Sequence, residues 1–247
     1  MIAGKVIAAD GAQHRFAFTR TGPAATTEAF RAALAGAGVG TNAPATVLCD
    51  GDAGLWRLQR QALPGATPVL DWWHAAVRFE HALQAARGLG TGTAEASLAD
   101  AAVRGLEWAK WRLWHGRWPG CRRRLAALSR WTRRRLMRDV AGVDKLRQLV
   151  ADLLGYLERN EAALVHYAAR RRRGEPIATS FVESAVDEII SWRMAKAQQM
   201  RWSKPSLQPF LDVRTAVLND TLEDAFRRCH HGFRPANDDS RLTAVAA

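Results

Sequence analysis

The chain has 247 residues, 48% of them apolar, enough to bury the core of one large domain or two small ones. Its 36 Lys and Arg outnumber its 24 Asp and Glu by 12, with Arg dominant, so its surface attracts polyanions, nucleic acid first. Three scattered cysteines (Cys49, Cys121 and Cys229) argue against a disulfide framework, no apolar stretch is long enough for a membrane span, and "MIAGKVIAADG" lacks a signal-peptide pattern, so the expected location is cytoplasmic.

"GKVIAA" and "RFAFTR" are short β-rich runs separated by "DGAQH", an Asp-Gly hairpin signal. "TTEAFRAALAGAG" reads as a helix with a Thr cap and a Gly stop. "ATVLCD" is a buried-type strand ending in Asp50, "AGLWRLQRQAL" is helical, and "PGATPVLD" leads into a strand ending in Asp71. Hairpin, helix, strand, helix, strand is an α/β order. From about 74 to 174 every signal is helical, about a hundred residues, the length of a small domain. "RRRRGEPIATS" reads as a basic loop, and a strong helix is expected from Phe181 to about Arg201. The tail from 233 to 247 is polar and small and is expected to be disordered. There is no internal repeat.

Three acidic positions stand out. Asp50 lies at the C-terminal end of a strand, where open α/β sheets place functional groups. It also fits an Asp-Gly turn, with Asp52 capping the next helix. Asp71 fits a helix N-cap, accepting from the backbone N–H of His74. Asp71 and His74 also make a D-x-x-H pair, a weak metal motif. In the late helix, Val182, Val186, Ile189 and Ile190 form an apolar stripe. Glu183 lies on its margin, half desolvated or simply solvated at a helix start, and Arg193 falls within it, where it can snorkel, pair near Glu183 or contact a DNA phosphate.

Arginine clusters form a second class. Arg122, Arg123 and Arg124, then Arg133, Arg134 and Arg135, flank Trp131. Arg170, Arg171, Arg172 and Arg173 precede the Glu183 helix. Each cluster is either a solvated face or a salt-sensitive, sequence-blind phosphate contact. Trp108, Trp111, Trp114 and Trp118 recur at helical spacing, for core packing or for stacking on unpaired bases.

Together, "VLCDGDAGLWRLQRQALPGATPVLDWWHAAVRFEHALQAARGLG", "LEWAKWRLWHGR", "RRRGEPIATSFVESAVDEIISWRMAKAQQMRWS" and "VRTAVLND" resemble bacterial insertion-sequence transposases of the DDE type. The resemblance is to the ISKra/Mutator-like branch and covers roughly residues 4 to 235. It implies an RNase H-like fold, a mixed sheet with helices on both faces, interrupted by an all-helical insertion. The implied division is residues 1–74 as the start of the catalytic core, 75–174 as the insertion and 175–232 as helices completing the core.

By the same resemblance Asp50 and Glu183 are catalytic metal ligands, and Asp71 and His74 an auxiliary motif. The implied cofactor is Mg²⁺ or Mn²⁺, two ions clamping the attacking and leaving oxygens of an in-line displacement. The implied activity is DNA nicking and strand transfer. The implied partners are element ends and target DNA, with a homo-oligomer joining two ends and no membrane.

A complete site of this kind has a third carboxylate, on a central strand between the hairpin and the Asp50 strand. That strand should precede the hairpin, whereas Met1 begins at what reads as the second strand. Asp10 sits in the hairpin turn and should face solvent. The expectation is therefore a truncated transposase, inactive alone and poorly stable, with exposed inner sheet edges. The alternatives are a non-catalytic DNA-binding or oligomerising fragment that represses a full-length transposase, and a plain basic helical nucleic-acid-binding protein. "MRWSKPSLQPFLDVR" departs from the family at Ser206 and Leu207, and Pro205 and Pro209 put the packing of the last helix in doubt.

Overall fold

A computed structural model of the chain describes residues 1–19, 22–90, 93–134, 140–179, 188–189 and 203–232. It divides into two compact units, one of Met1–Gly40 with Phe181–Ala247 and one of Thr41–Ser180. Most of the expected Phe181 helix, with Glu183 and Arg193, lies outside the described residues, as do Arg135 and the tail.

The first unit starts with the hairpin. Strands β1 (Ile2–Ile7) and β2 (Gln13–Phe18) pair antiparallel from Ile2↔Phe18 to Ile7↔Gln13. Asp10 closes the turn through its own carboxylate, which accepts from the Ala12 N–H at 2.9 Å. This is an Asx-type contact, and it holds Asp10 in the exposed turn. Helix α1 (Pro23–Gly36) brings Phe30 against Phe16 and Phe18, with ring centroids 5.6 and 6.2 Å apart. It starts earlier than the expected Thr cap, with Pro at its first position, where a missing N–H costs nothing. Thr27 instead donates its hydroxyl back to the Pro23 carbonyl.

Later in the chain come α8 (Lys204–Leu218) and α9 (Leu222–Cys229), after seven helices among the described residues. The two prolines do not break α8. Pro205 occupies its first turn, and Pro209 is carried inside a continuous helix that buries Leu211 completely. Helix α8 also seals one edge of the hairpin. Asn219 accepts from the Arg15 N–H and donates to the Arg15 carbonyl, both at 2.8 Å, and the Gln208 side-chain oxygen accepts from the Thr19 N–H at 2.8 Å. One amide side chain thus satisfies a donor and an acceptor that a neighbouring strand would otherwise take.

The second unit holds a β-α-β turn. Strands β3 (Thr46–Cys49) and β4 (Thr67–Leu70) are parallel, joined by α2 (Ala53–Ala62). Helices α3 (Trp72–Arg87), α4 (Thr93–Trp114), α5 (Trp118–Trp131), α6 (Val143–Arg159) and α7 (Tyr167–Arg172) follow, with a 3₁₀ turn at Glu161–Ala163. Their apolar spacing explains the packing. Ala75, Phe79, Leu83 and Ala86 on α3 and Ala102, Leu106, Ala109 and Leu113 on α4 each make one buried stripe. These join Leu146, Val150, Leu153 and Leu157 of α6 in a core that also contains Cys49, Val69 and Leu70.

That shared core explains why the unit begins at Thr41. The boundaries expected at 74 and 174 fall inside it, because β3 and β4 bury their residues against the helices that follow. The chain is mixed α/β. Among the described residues its strands form two separate two-stranded sheets, β1-β2 and β3-β4.

Candidate functional site at two strand ends

Asp50 and Asp71 follow neighbouring parallel strands, one after β3 and one after β4. Gly51 makes the turn after Asp50 at φ +96, a left-handed conformation that side chains rarely adopt. A Cβ there would also meet Asn160 Nδ2 at 2.8 Å and Tyr156 Cε2 at 2.9 Å. Asn160 and Tyr156 come from the end of α6, so the helical block presses directly on this turn. The Tyr156 hydroxyl donates to the Asp50 carbonyl at 2.8 Å, and Trp56 Nε1 donates to Asn160 Oδ1 at 2.7 Å. Burial pushes the Tyr156 phenol up to about 12, so it stays protonated and remains a donor. The Arg78 guanidinium lies 4.2 Å above the Tyr156 ring.

The Asp50 side chain itself is exposed. Its Oδ1 accepts from the Asp52 N–H at 3.1 Å and faces Cys49 Sγ at 3.4 Å. Its other oxygen has no partner among the described residues. Burial pushes the Cys49 thiol up to about 12, so it stays protonated in the core. Asp52 caps α2, accepting from the Leu55 N–H at 2.9 Å.

Asp71 is the opposite case. It is fully buried and accepts from four donors: the Trp73 N–H at 2.7 Å, the Thr179 N–H at 3.1 Å, the Thr179 hydroxyl, and His74 Nδ1 at 2.9 Å. The cap reaches Trp73 rather than the expected backbone N–H of His74, whose ring takes the other oxygen instead. Three of the four donors converge on Oδ2, while Oδ1 takes the Trp73 N–H. At 0% exposure neither oxygen faces solvent, and Asp71 acts as a clasp between the start of α3 and the segment at Thr179. It also fixes the His74 tautomer. With Nδ1–H donated to the carboxylate, Nε2 of the half-exposed ring carries the free lone pair. Such an oriented imidazole can accept a proton or a metal at Nε2. Tyr167 of α7 completes the junction by donating to the Leu70 carbonyl at 3.0 Å.

No group of three His, Cys, Asp or Glu side chains able to hold a metal ion occurs among the described residues. Of Asp50 and Asp71 only Asp50 is exposed, so these two residues by themselves do not fit a two-ion centre. Glu183 lies outside the described residues.

The arginine clusters separate by their partners. Arg123, Arg124, Arg133 and Arg134 are exposed, while Arg122 binds Glu158 at 2.7 Å. In the second cluster Arg170 and Arg171 lie on α7 with Arg172 as its last residue, so the expected basic loop is helical up to that point. Arg170 is largely buried and binds Glu175 at 2.8 Å, and Arg173 pairs with the same carboxylate. These pairings hold the Glu175 carboxyl below its usual range, Arg173 first. Arg171 and Arg172 alone of the four remain exposed without an ion pair among the described residues. Sequence reasoning missed Tyr156, Asn160, Tyr167 and Thr179, which are far from the strand ends in sequence and carry no motif.

No described helix is long and apolar enough to cross a membrane. No family model, curated protein or solved structure matches the chain.

Proposed function

We propose that the chain is part of a DDE-type DNA transposase, binding DNA through its arginine-rich surface and contributing Asp50, with Glu183, to an acidic site. One observation carries this reading: the unequal edges of the hairpin. The outer edge of β2 is sealed by Asn219 and Gln208, whereas among the described residues β1 has no strand on its other side and β3 is paired only with β4. The RNase H-like resemblance calls for a further strand beside each of those two open edges, antiparallel to β1 and parallel to β3. Asp71 and His74 are then supporting groups, Asp71 fixing the start of α3 and orienting the imidazole.

The test is a fusion. The DNA upstream of the Met1 codon is sequenced, and any in-frame or frameshifted segment encoding an apolar strand with an Asp is joined to the chain. The expected fusion nicks plasmid DNA with Mg²⁺ or Mn²⁺, and Asp50→Ala abolishes the cleavage. A folded fusion that binds DNA but shows no Asp50-dependent cleavage overturns the reading.

The full burial of Asp71, which leaves Asp50 as the exposed carboxylate of the two strand ends, favours a second reading, a non-catalytic DNA-binding fragment that represses a full-length enzyme. Its signature is reduced transposition when the chain is supplied in trans, unchanged by Asp50→Ala.

A further inference from the structure

The four tryptophans that recur along α4 and into α5 do not share one environment. Trp118 is buried, at 8% exposure. Trp114 packs on Trp72 and Tyr167, at ring-centroid distances of 4.8 and 6.4 Å. Trp108 and Trp111 are exposed, at 42% and 63%. Core packing explains the first pair and leaves the second without a reason, since exposed indole forfeits the free energy its burial would supply.

The exposed pair is surrounded by positive charge. Trp108, Trp111, Arg112 and His115 lie within two turns of one helix face. With Arg117 they line an open pocket of about 390 Å³, within the range of small-ligand clefts. The Arg112 guanidinium lies 4.3 Å from the Trp108 ring centre, and Arg124 reaches in from α5 at 6.0 Å. The edge of His115 meets the Trp111 ring, with centroids 4.5 Å apart. Arg112, Arg117 and Arg124 form no ion pair among the described residues. Indole faces beside unpaired guanidinium groups fit a ligand with a flat π-system and negative charge close together. A nucleotide in a single strand has both, whereas a duplex hides its base faces in the stack.

We infer that the Trp108–Trp111 face of α4 is a platform for single-stranded DNA, on which an unpaired base stacks against Trp111 while Arg117 and Arg124 hold the adjoining phosphates. The inference rests on the reading of the chain as a DNA-binding protein. It adds which form of DNA is held, and where. Arg112 lies over Trp108 and stiffens that side of the platform through the cation–π contact.

The test compares a labelled oligothymidylate, a duplex of the same length and an abasic oligomer of the same length, by fluorescence anisotropy at fixed salt. Trp111→Ala is expected to weaken oligothymidylate binding about tenfold, the low end of stacking losses measured per base. Trp111→Phe should retain most of the affinity. Duplex and abasic binding should change little in either variant. Because Trp111 is exposed, these variants are expected to melt with the parent protein, which circular dichroism checks. If the duplex is bound and Trp111→Ala leaves oligothymidylate binding unchanged, or weakens all three probes equally, the platform is overturned while DNA binding stands. If the parent binds none of the three, both readings fall, and an acidic protein partner becomes the occupant to test.

Discussion

The ends of β3 and β4 carry nearly the same sequence device, an apolar run, an aspartate and a helix, yet they have opposite fates. After β3 the chain spends three residues, Asp50, Gly51 and Asp52, before α2 begins, and Asp52 takes the cap. Asp50 is left at the surface, with one oxygen lacking a partner among the described residues. After β4 there is no spacer. Asp71 must cap α3 itself, and at 0% exposure it survives only because four donors surround it. The lesson is that one inserted turn decides whether a strand-end carboxylate becomes a structural clasp or an accessible ligand. Burial then fixes the cost of removing it.

The largest expected effect is at Asp71. Asp71→Ala strands two backbone N–H groups, a hydroxyl and an imidazole, and should cost about 3 kcal/mol of unfolding free energy, read from the urea midpoint. A loss below about 1 kcal/mol would show that water replaces the carboxylate, and the contrast between the strand ends would collapse. Thr179→Val tests the same clasp from the other side. It keeps the backbone donor, loses the hydroxyl, and should cost about 1.5 kcal/mol. Asp52→Ala removes an exposed cap and should cost about 1 kcal/mol. Asp50→Ala should shift stability by less than about 0.5 kcal/mol, the usual range for a surface change away from special features. A larger loss there would mean that Asp50 is structural after all.

These measurements sharpen only at fixed pH, because another group titrates independently of both strand ends. Desolvation first, then the charges of His166, Arg117 and Arg172, hold the His115 imidazole below its ordinary 6.5. The unfolded chain therefore takes up that proton before the folded one as pH falls. This stability contribution is intact above 6.5 and is lost as pH drops from there towards the lowered folded value. His115→Gln should reduce the slope of the unfolding midpoint between about pH 7.5 and 5.5, a smaller effect than any strand-end clasp.

How much of this was legible beforehand differs by element. The hairpin, α2, β3, β4 and the stripes of α3 and α4 follow from short-range signals: Asp-Gly, an Asp cap, apolar runs and helical spacing. The tryptophan series was legible as a helix face, but not as two pairs with different surroundings. Which indole is covered depends on where Trp72 and Tyr167 arrive from other segments. Arg170 and Arg173 read as free charge in a run of four, until Glu175 turned out to fold back on both.

By itself the sequence determined the local elements, the basic surface and the two aspartates at strand ends, because caps, turns and periodicity act within a few residues. Only the tertiary structure decided that Asp71 is enclosed and Asp50 is not, because the deciding donors at Thr179 and the packing of Tyr156 and Asn160 lie about a hundred residues further along the chain. It also decided that β3 and β4 belong with the helices that follow them, since a core is shared by whichever apolar faces meet, whatever their order in the chain.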